Sequence, residues 1–158
     1  MPKLFSIKQE FSEKIFSNEK LVEFRRQNVN IRKNEICLVY TSRPIKEITG
    51  YFVVKEKIRL PINKLWAKTK KYAGITKKQF YDYFAGCKEG TAILVEKVKK
   101  FIRAVGLEEI RDGMKNFHPP QSYYTINNNL QILLSEYLPQ KSLRNFWQFP
   151  SCEFRVDF

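Results

Sequence analysis

Ser6, Lys8, Lys20, Glu23 and Arg25 are the residues whose types and spacing point most directly to chemistry. An ammonium and a guanidinium beside one carboxylate form either a structural ion pair or a pocket that holds a phosphate or reads a base edge, the planar guanidinium being suited to two parallel hydrogen bonds. Burial would let the same group handle protons, with Lys20 as base or electrostatic stabiliser and Glu23 as its acid or base partner. Local alternation supplies the means of assembly. Leu4, Ser6 and Lys8 share one side of a short strand and Phe5 and Ile7 the other; in a second strand Val22 and Phe24 point to the core, while Glu23 and Arg25 point away from it. If the two strands are neighbours, the polar groups meet on one face, with Lys20 at the entrance to the second strand.

A run of lysines is the second signal. Six stand between Asn63 and Tyr81 with no acid among them, and Lys64, Lys68 and Lys71 recur at helical spacing opposite Ile62, Leu65, Trp66 and Thr69. Such a run is ordinarily a solvated face; the lack of compensating carboxylates is what points to phosphate, since each phosphate neutralised releases counterions. Aromatic side chains offer a third signal, base stacking, although periodicity assigns most of them to the core. Tyr123 and Tyr124 are singled out because neighbours on a strand face opposite ways, which leaves one of them exposed. Cys37, Cys87 and Cys152 include no C-x-x-C pair and His118 is the single histidine, so neither a metal site nor a cofactor is expected. Cys37, inside an apolar run, reads as a buried and inert thiol.

The elements that must position these groups follow from periodicity and punctuation. A helix over residues 9–17 carries Phe11 and Ile15 on one stripe and stops at Asn18, which tolerates a left-handed backbone. Further strands are predicted over 36–41, 48–58, 91–99 and 122–126, with Gly50 marking a bulge or bend. Helices over 62–72 and 77–84 fall between the second and third of these. Gly74 closes the first helix, Thr76 and Gln79 have capping-box spacing at the start of the second, and Gly86 ends it. Six strands, few helices and no βαβ rhythm predict an α+β fold, a mixed, curled sheet or barrel rather than a doubly wound sheet.

The chain of 158 residues, 43% hydrophobic and 15% aromatic, is long enough for one well-packed domain. Lys and Arg number 29 against 16 Asp and Glu, a formal charge of +13. Charge of that size repels itself in the compact state and is kept where it meets a polyanion, so nucleic acid, with RNA favoured, is the expected partner. No segment approaches the roughly 20 apolar residues that span a bilayer, and the start lacks the apolar stretch of a signal peptide, so no membrane partner and a cytoplasmic location are expected. Residues 1–126 are predicted to form the domain and 127–158 an extension. Within the extension a helix over 130–138 buries Leu130, Leu133, Leu134 and Tyr137, and Phe146, Trp147 and Phe149 then pack on the barrel or on a second subunit, making a homodimer.

The stretch LFSIKQEFSEKIFSNEKLVEFRR resembles the opening motif of ASCH domains, in which a strand ending in Ser-x-Lys leads to a helix, a turn ending in Lys, and a strand carrying Glu-x-Arg. Tyr40-Thr41-Ser42-Arg43-Pro44, Ile48-Thr49-Gly50-Tyr51-Phe52 and Pro119-Pro120-Gln121-Ser122-Tyr123 look like the later motifs of that family, so the resemblance spans about residues 3–126. It implies a PUA-like β-barrel of about six strands with flanking helices, the first helix plugging one side and the two lysine-rich helices inserted between later strands. It also implies a cleft beside the first helix, used across the superfamily mostly for RNA or for a modified base. Ser6, Lys8, Lys20, Glu23 and Arg25 would line it, and the 119–123 stretch would form a neighbouring wall on which Gln121 and Ser122 offer hydrogen bonds. Some small ASCH proteins are amidohydrolases of acylated cytidine nucleosides and others are ribonucleases. For the amidohydrolase branch Lys20 matches, but Glu23 stands where a threonine nucleophile is expected and no glutamate lies between Ile58 and Gly86. The turn before Lys20 holds Asn18-Glu19 where a glycine is common in the family.

Overall fold

In the computed structural model, which describes residues 1–139, the chain runs through β1 (Lys3–Ile7), α1 (Gln9–Phe16), β2 (Val22–Arg25), β3 (Ile36–Thr41) and β4 (Glu47–Pro61). It continues through α2 (Ile62–Thr69), a 3-10 turn (Lys70–Tyr72), α3 (Lys77–Tyr83), β5 (Glu89–Gly106), α4 (Leu107–Gly113), β6 (Tyr123–Thr125) and α5 (Asn128–Leu133). All six strands belong to one sheet of order β2-β5-β4-β3-β1-β6. β1 and β3 are parallel and every other pair is antiparallel, which is the mixed sheet that the strand pattern predicts.

β4 and β5 outrun their predicted bounds of 48–58 and 91–99 because they pair along almost their whole length, from Glu47 opposite Gly106 to Pro61 opposite Glu89. The far half of β5 looks polar, with Lys99, Lys100 and Arg103, yet Phe101 and Val105 within it enter a core. Register shifts along this pair, and one between Val39 and Tyr40 in the β3–β4 ladder, curl the sheet. Gly50 sits at such a shift, as predicted. A Cβ there would collide with the Lys99 carbonyl and come within 2.7 Å of the Phe16 ring, so glycine is what lets α1 lie against the sheet.

Adjacent residues of β1 face opposite ways into separate cores. Leu4 joins Leu38, Ile48, Phe101 and Val105, whereas Phe5 and Ile7 join Val39, Phe52 and Val95, with Ile15, Phe11 and Phe16 of α1 closing over that second core. Cys37 is fully buried there, and burial holds its thiol well above the usual range, in keeping with the inert reading. A third core, of Val22 and Phe24 from β2 with Leu65, Phe80 and Phe84, lies under the two inserted helices. The lysine spacing reads true here: Leu65 and Thr69 are buried while Lys64, Lys68 and Lys71 are exposed. The predicted helix over 62–72 divides at Thr69 into α2 and the 3-10 turn. Gly74 (φ 59°) and Gly86 (φ 78°) take the left-handed backbone expected of helix stops. Thr76 and Gln79 make the reciprocal capping box.

α4 has no counterpart in the sequence prediction. It is one short amphipathic turn pair with Ile110 as its only fully buried side chain, too little for periodicity to register. The helix predicted over 130–138 is α5 followed by a turn, with Asn127 Oδ1 accepting from the Leu130 amide at 3.0 Å. Leu130, Leu134 and Leu138 enter the first core, and Leu133 and Tyr137 pack against it half-buried. Phe146, Trp147 and Phe149 lie outside the described residues. Among the described residues no helix is long and apolar enough to cross a membrane.

Replacing Gly50 by Ala is expected to lower stability by about 1–3 kcal/mol in urea unfolding, since α1 and the β4–β5 bulge would both have to yield. An unchanged midpoint would mean that α1 is not pressed onto the sheet.

Candidate functional site

The strand neighbourhood on which the sequence reading relied does not occur. β2 is bonded to β5, and β1 lies between β3 and β6 at the far side of the sheet. Curling brings those two edges together, and side chains close the gap that no backbone ladder spans. Arg25, at the end of β2, donates from Nη2 to the Ser6 carbonyl at 3.1 Å and from Nη1 to Ser122 Oγ at 3.3 Å. Ser6 is itself fixed, its hydroxyl donating to the Pro120 carbonyl at 2.6 Å and its amide to the Ser122 carbonyl at 3.0 Å. The Arg25 guanidinium also lies 4.8 Å from the centre of the Phe5 ring.

Glu23 is held between two cations. Its Oε1 is 3.0 Å from Arg25 Nη2 and its Oε2 is 2.8 Å from Lys20 Nζ, which donates in addition to the Val22 carbonyl. Exposure is 3% for Lys20, 7% for Glu23 and 8% for Arg25, so this is a buried triad and not a surface pair. Burial pulls the Lys20 ammonium below the ordinary lysine range, and the Glu23 carboxylate opposes that pull. The inserted segment seals Lys20 in place: a Cβ on Gly74 would come within 2.7 Å of Lys20 Cβ, and the Leu21 amide donates to the Tyr72 carbonyl at 2.9 Å.

The triad borders a cleft of about 930 Å³. Ser6 and Lys8 come to it from the β1–α1 junction, Pro119, Pro120, Gln121 and Ser122 from the segment before β6, and Tyr40, Ser42, Arg43 and Lys46 from the end of β3 and the following hairpin. Arg26 and Gln27 after β2, Gln79 and Tyr83 of α3, and Glu108 and Arg111 of α4 complete most of the wall. Seven Lys or Arg thus face two carboxylates. Glu23 is taken up by the triad, and Glu108 pairs with Arg111 at 3.1 Å. Lys8, Arg43 and Lys46 are exposed and make no ion pair among the described residues. The cleft therefore presents an unpaired positive surplus inside concave walls, an arrangement that concentrates anions. Tyr40 is 4% exposed, and burial raises its hydroxyl pKa above the ordinary tyrosine value. Among the described residues no three His, Cys, Asp or Glu side chains gather as metal ligands would.

No protein-family model matches the sequence. A curated protein of Zymomonas mobilis subsp. mobilis, named an ASCH domain-containing ribonuclease, is 31% identical over 119 residues, which are 75% of this chain and 80% of that protein. The chain belongs to the ASCH-domain family. The crystal structure of ASCH from Zymomonas mobilis superimposes with a TM-score of 0.79 at 30% identity, covering 85% of this chain and 94% of that one. The N-terminal domain of Staphylothermus marinus McrB has a TM-score of 0.56 at 10% identity over 85% of this chain and 93% of its own, which is a likeness of fold alone.

In this ASCH domain Ser6, Lys8, Lys20, Glu23, Arg25, Gln121 and Ser122 all border the cleft. Tyr123 does not. Its register opposite Phe5 stacks its ring on Phe5 at 5.2 Å, and its hydroxyl accepts from the Asn30 amide at 3.3 Å. Tyr124 is no freer, being half-buried on the first core with burial pushing its hydroxyl up to about 12, so the expected exposed member of this pair is absent. Lys64, Lys68 and Lys71 lie outside the cleft. Tyr40, Ser42, Arg43 and Lys46 belong to or adjoin a segment that resembles a family motif, which was the available signal for them. Arg26 ends the stretch that resembles the opening motif and Tyr83 is one of the aromatic residues of the stacking signal, but nothing in the sequence singles out either of them or Arg111, and the fold brings them to the cleft.

Glu23→Gln strands two buried cations, and an expected loss of about 3–5 kcal/mol follows, measured by urea unfolding. Adding Lys20→Met to that variant should restore part of the loss, because one uncompensated charge is removed. A Glu23→Gln protein as stable as the parent would show that solvent already compensates the triad.

Proposed function

We propose that this ASCH domain binds RNA in the cleft. Lys8, Arg43 and Lys46 meet the phosphates, Gln121 and Ser122 offer hydrogen bonds, and a base or phosphate settles against the wall formed by Lys20, Glu23 and Arg25. The observation that carries the reading is the unpaired cationic surplus within a concavity of the size that ordinarily takes small ligands. Glu23 acts there through Lys20 and Arg25, since both of its oxygens are engaged. Lys64, Lys68 and Lys71 add outer phosphate contacts along the exposed face of the insertion, and the reading implies a cytoplasmic setting, where RNA is met.

A second reading, cleavage of the bound RNA, is favoured by the name of the 31% identical relative. The cations would stabilise charge developing on the phosphate. With Glu23 occupied, proton donation to the departing oxygen would fall to groups that carry protons, of which Tyr40 and Lys46 border the cleft, and the proton of the attacking hydroxyl would pass to water.

Anisotropy titrations with labelled RNA over a range of salt test the first reading. Arg43→Glu with Lys46→Glu should weaken binding by about tenfold or more and flatten the salt dependence by about two phosphate contacts, and Lys64, Lys68 and Lys71→Glu should flatten it by about three. Equal binding by the cleft variant and the parent would move the RNA elsewhere. Gel analysis of the same labelled RNA tests the second: cleavage should slow about a hundredfold or more in Tyr40→Phe, and RNA left intact by the parent would rule cleavage out.

A further inference from the structure

Arg26 borders two concavities at once. One is the cleft; the other is a separate groove lined by Arg59, Pro61, Cys87, Lys88 and Glu89 at the root of the inserted helices. Where they meet, the Arg26 guanidinium lies 5.3 Å from the centre of the Tyr83 ring, and its Nε donates to the Tyr83 carbonyl at 2.6 Å. Tyr83 is 38% exposed, an unusual state for a large ring here, and its hydroxyl donates to the Phe24 carbonyl at 3.2 Å. A planar cation thus lies over an aromatic ring, and both are held by hydrogen bonds at an open junction. In the groove beyond, Arg59 pairs with Glu89 at 3.3 Å, while Lys88 is exposed and makes no ion pair among the described residues.

We propose that the Arg26–Tyr83 pair is a stacking platform for an unpaired nucleobase, and that an RNA strand leaving the cleft crosses it into the Arg59–Lys88 groove. This inference rests on the reading of the cleft as an RNA site and specifies the substrate as single-stranded RNA several nucleotides long. Bases within an A-form duplex are already stacked on their neighbours and keep their faces from such a platform, whereas an unpaired base stacks on tyrosine or arginine planes with little demand on its identity. Lys88 and the outer edge of Arg26 supply the cations that the continuing phosphates require.

The test pairs protein variants with altered RNA. The full chain is titrated with a trinucleotide, a decanucleotide, a hairpin duplex, and decanucleotides in which one position at a time is abasic. The parent should prefer the decanucleotide to the duplex and should lose roughly tenfold or more in affinity at one particular abasic position. In Tyr83→Ala and Arg26→Ala that position should cost nothing further, whereas Tyr83→Phe, which keeps the ring, should retain the penalty. Lys88→Glu should weaken the decanucleotide and spare the trinucleotide. Because the abasic comparison is made within each protein, a modest stability change on losing the Tyr83 hydroxyl does not mimic the result. Parent binding with no abasic-sensitive position, or with equal sensitivity in Tyr83→Ala, overturns the platform and leaves the cleft reading standing; a parent that binds no RNA overturns both.

Discussion

A single carboxylate held between two cations governs this molecule. Among the described residues the sheet ends in β2 on one side and β6 on the other, and no backbone ladder joins these two strands. Arg25 spans the gap to Ser6 and Ser122, and a guanidinium so deeply buried is tolerable only beside a counter-charge. Glu23 provides it, and Lys20 occupies the second oxygen, so neither face of the carboxylate is left bare. What would be an open curled sheet becomes a barrel by ionic closure. The concavity on the outside of that seam is the cleft.

The same arrangement explains why the triad suits shaping a site better than reading a base. A carboxylate bound at both oxygens by cations and almost wholly buried has less to offer a ligand than a free one, and its main effect is to fix its neighbours. The exposed cations, by contrast, sit on the hairpin after β3 and at the start of α1, where long side chains reach solvent without burial costs. The cleft thus has rigid polar groups at its back and adaptable charge at its mouth.

Much of this was legible in the sequence, and the limits have physical reasons. Strand alternation put Ser6, Glu23 and Arg25 on the side where the cleft lies, Lys8 following as the N-cap of α1, and the left-handed Asn18, Gly74 and Gly86 fell where helix stops were expected, because both signals are local. Which strands touch is not local. The side chains converge even though β1 and β2 are not ladder partners, since curling accomplishes what adjacency was expected to do. Tyr123 was misplaced for a related reason: alternation tells that two faces exist, but only the register with Phe5 tells which of them is the cleft. Arg26 and Tyr83, 57 residues apart along the chain, share no pattern and meet solely through the docking of α3 on β2.

The helical insertion leaves and re-enters the barrel at a single rung, Pro61 opposite Glu89, and its middle bends back onto the start of β2, like a branch tied to the trunk a second time. The turn between α2 and α3 is therefore held, whereas side chains on the outward faces of the two helices can drift over evolutionary time without disturbing the strands beneath. The inner face is under the opposite constraint. Gly74 abuts Lys20, Tyr72 receives the Leu21 amide, and Phe80 and Phe84 cover Phe24, so relatives should diverge freely on the exposed faces of this branch while keeping its inner face nearly unchanged.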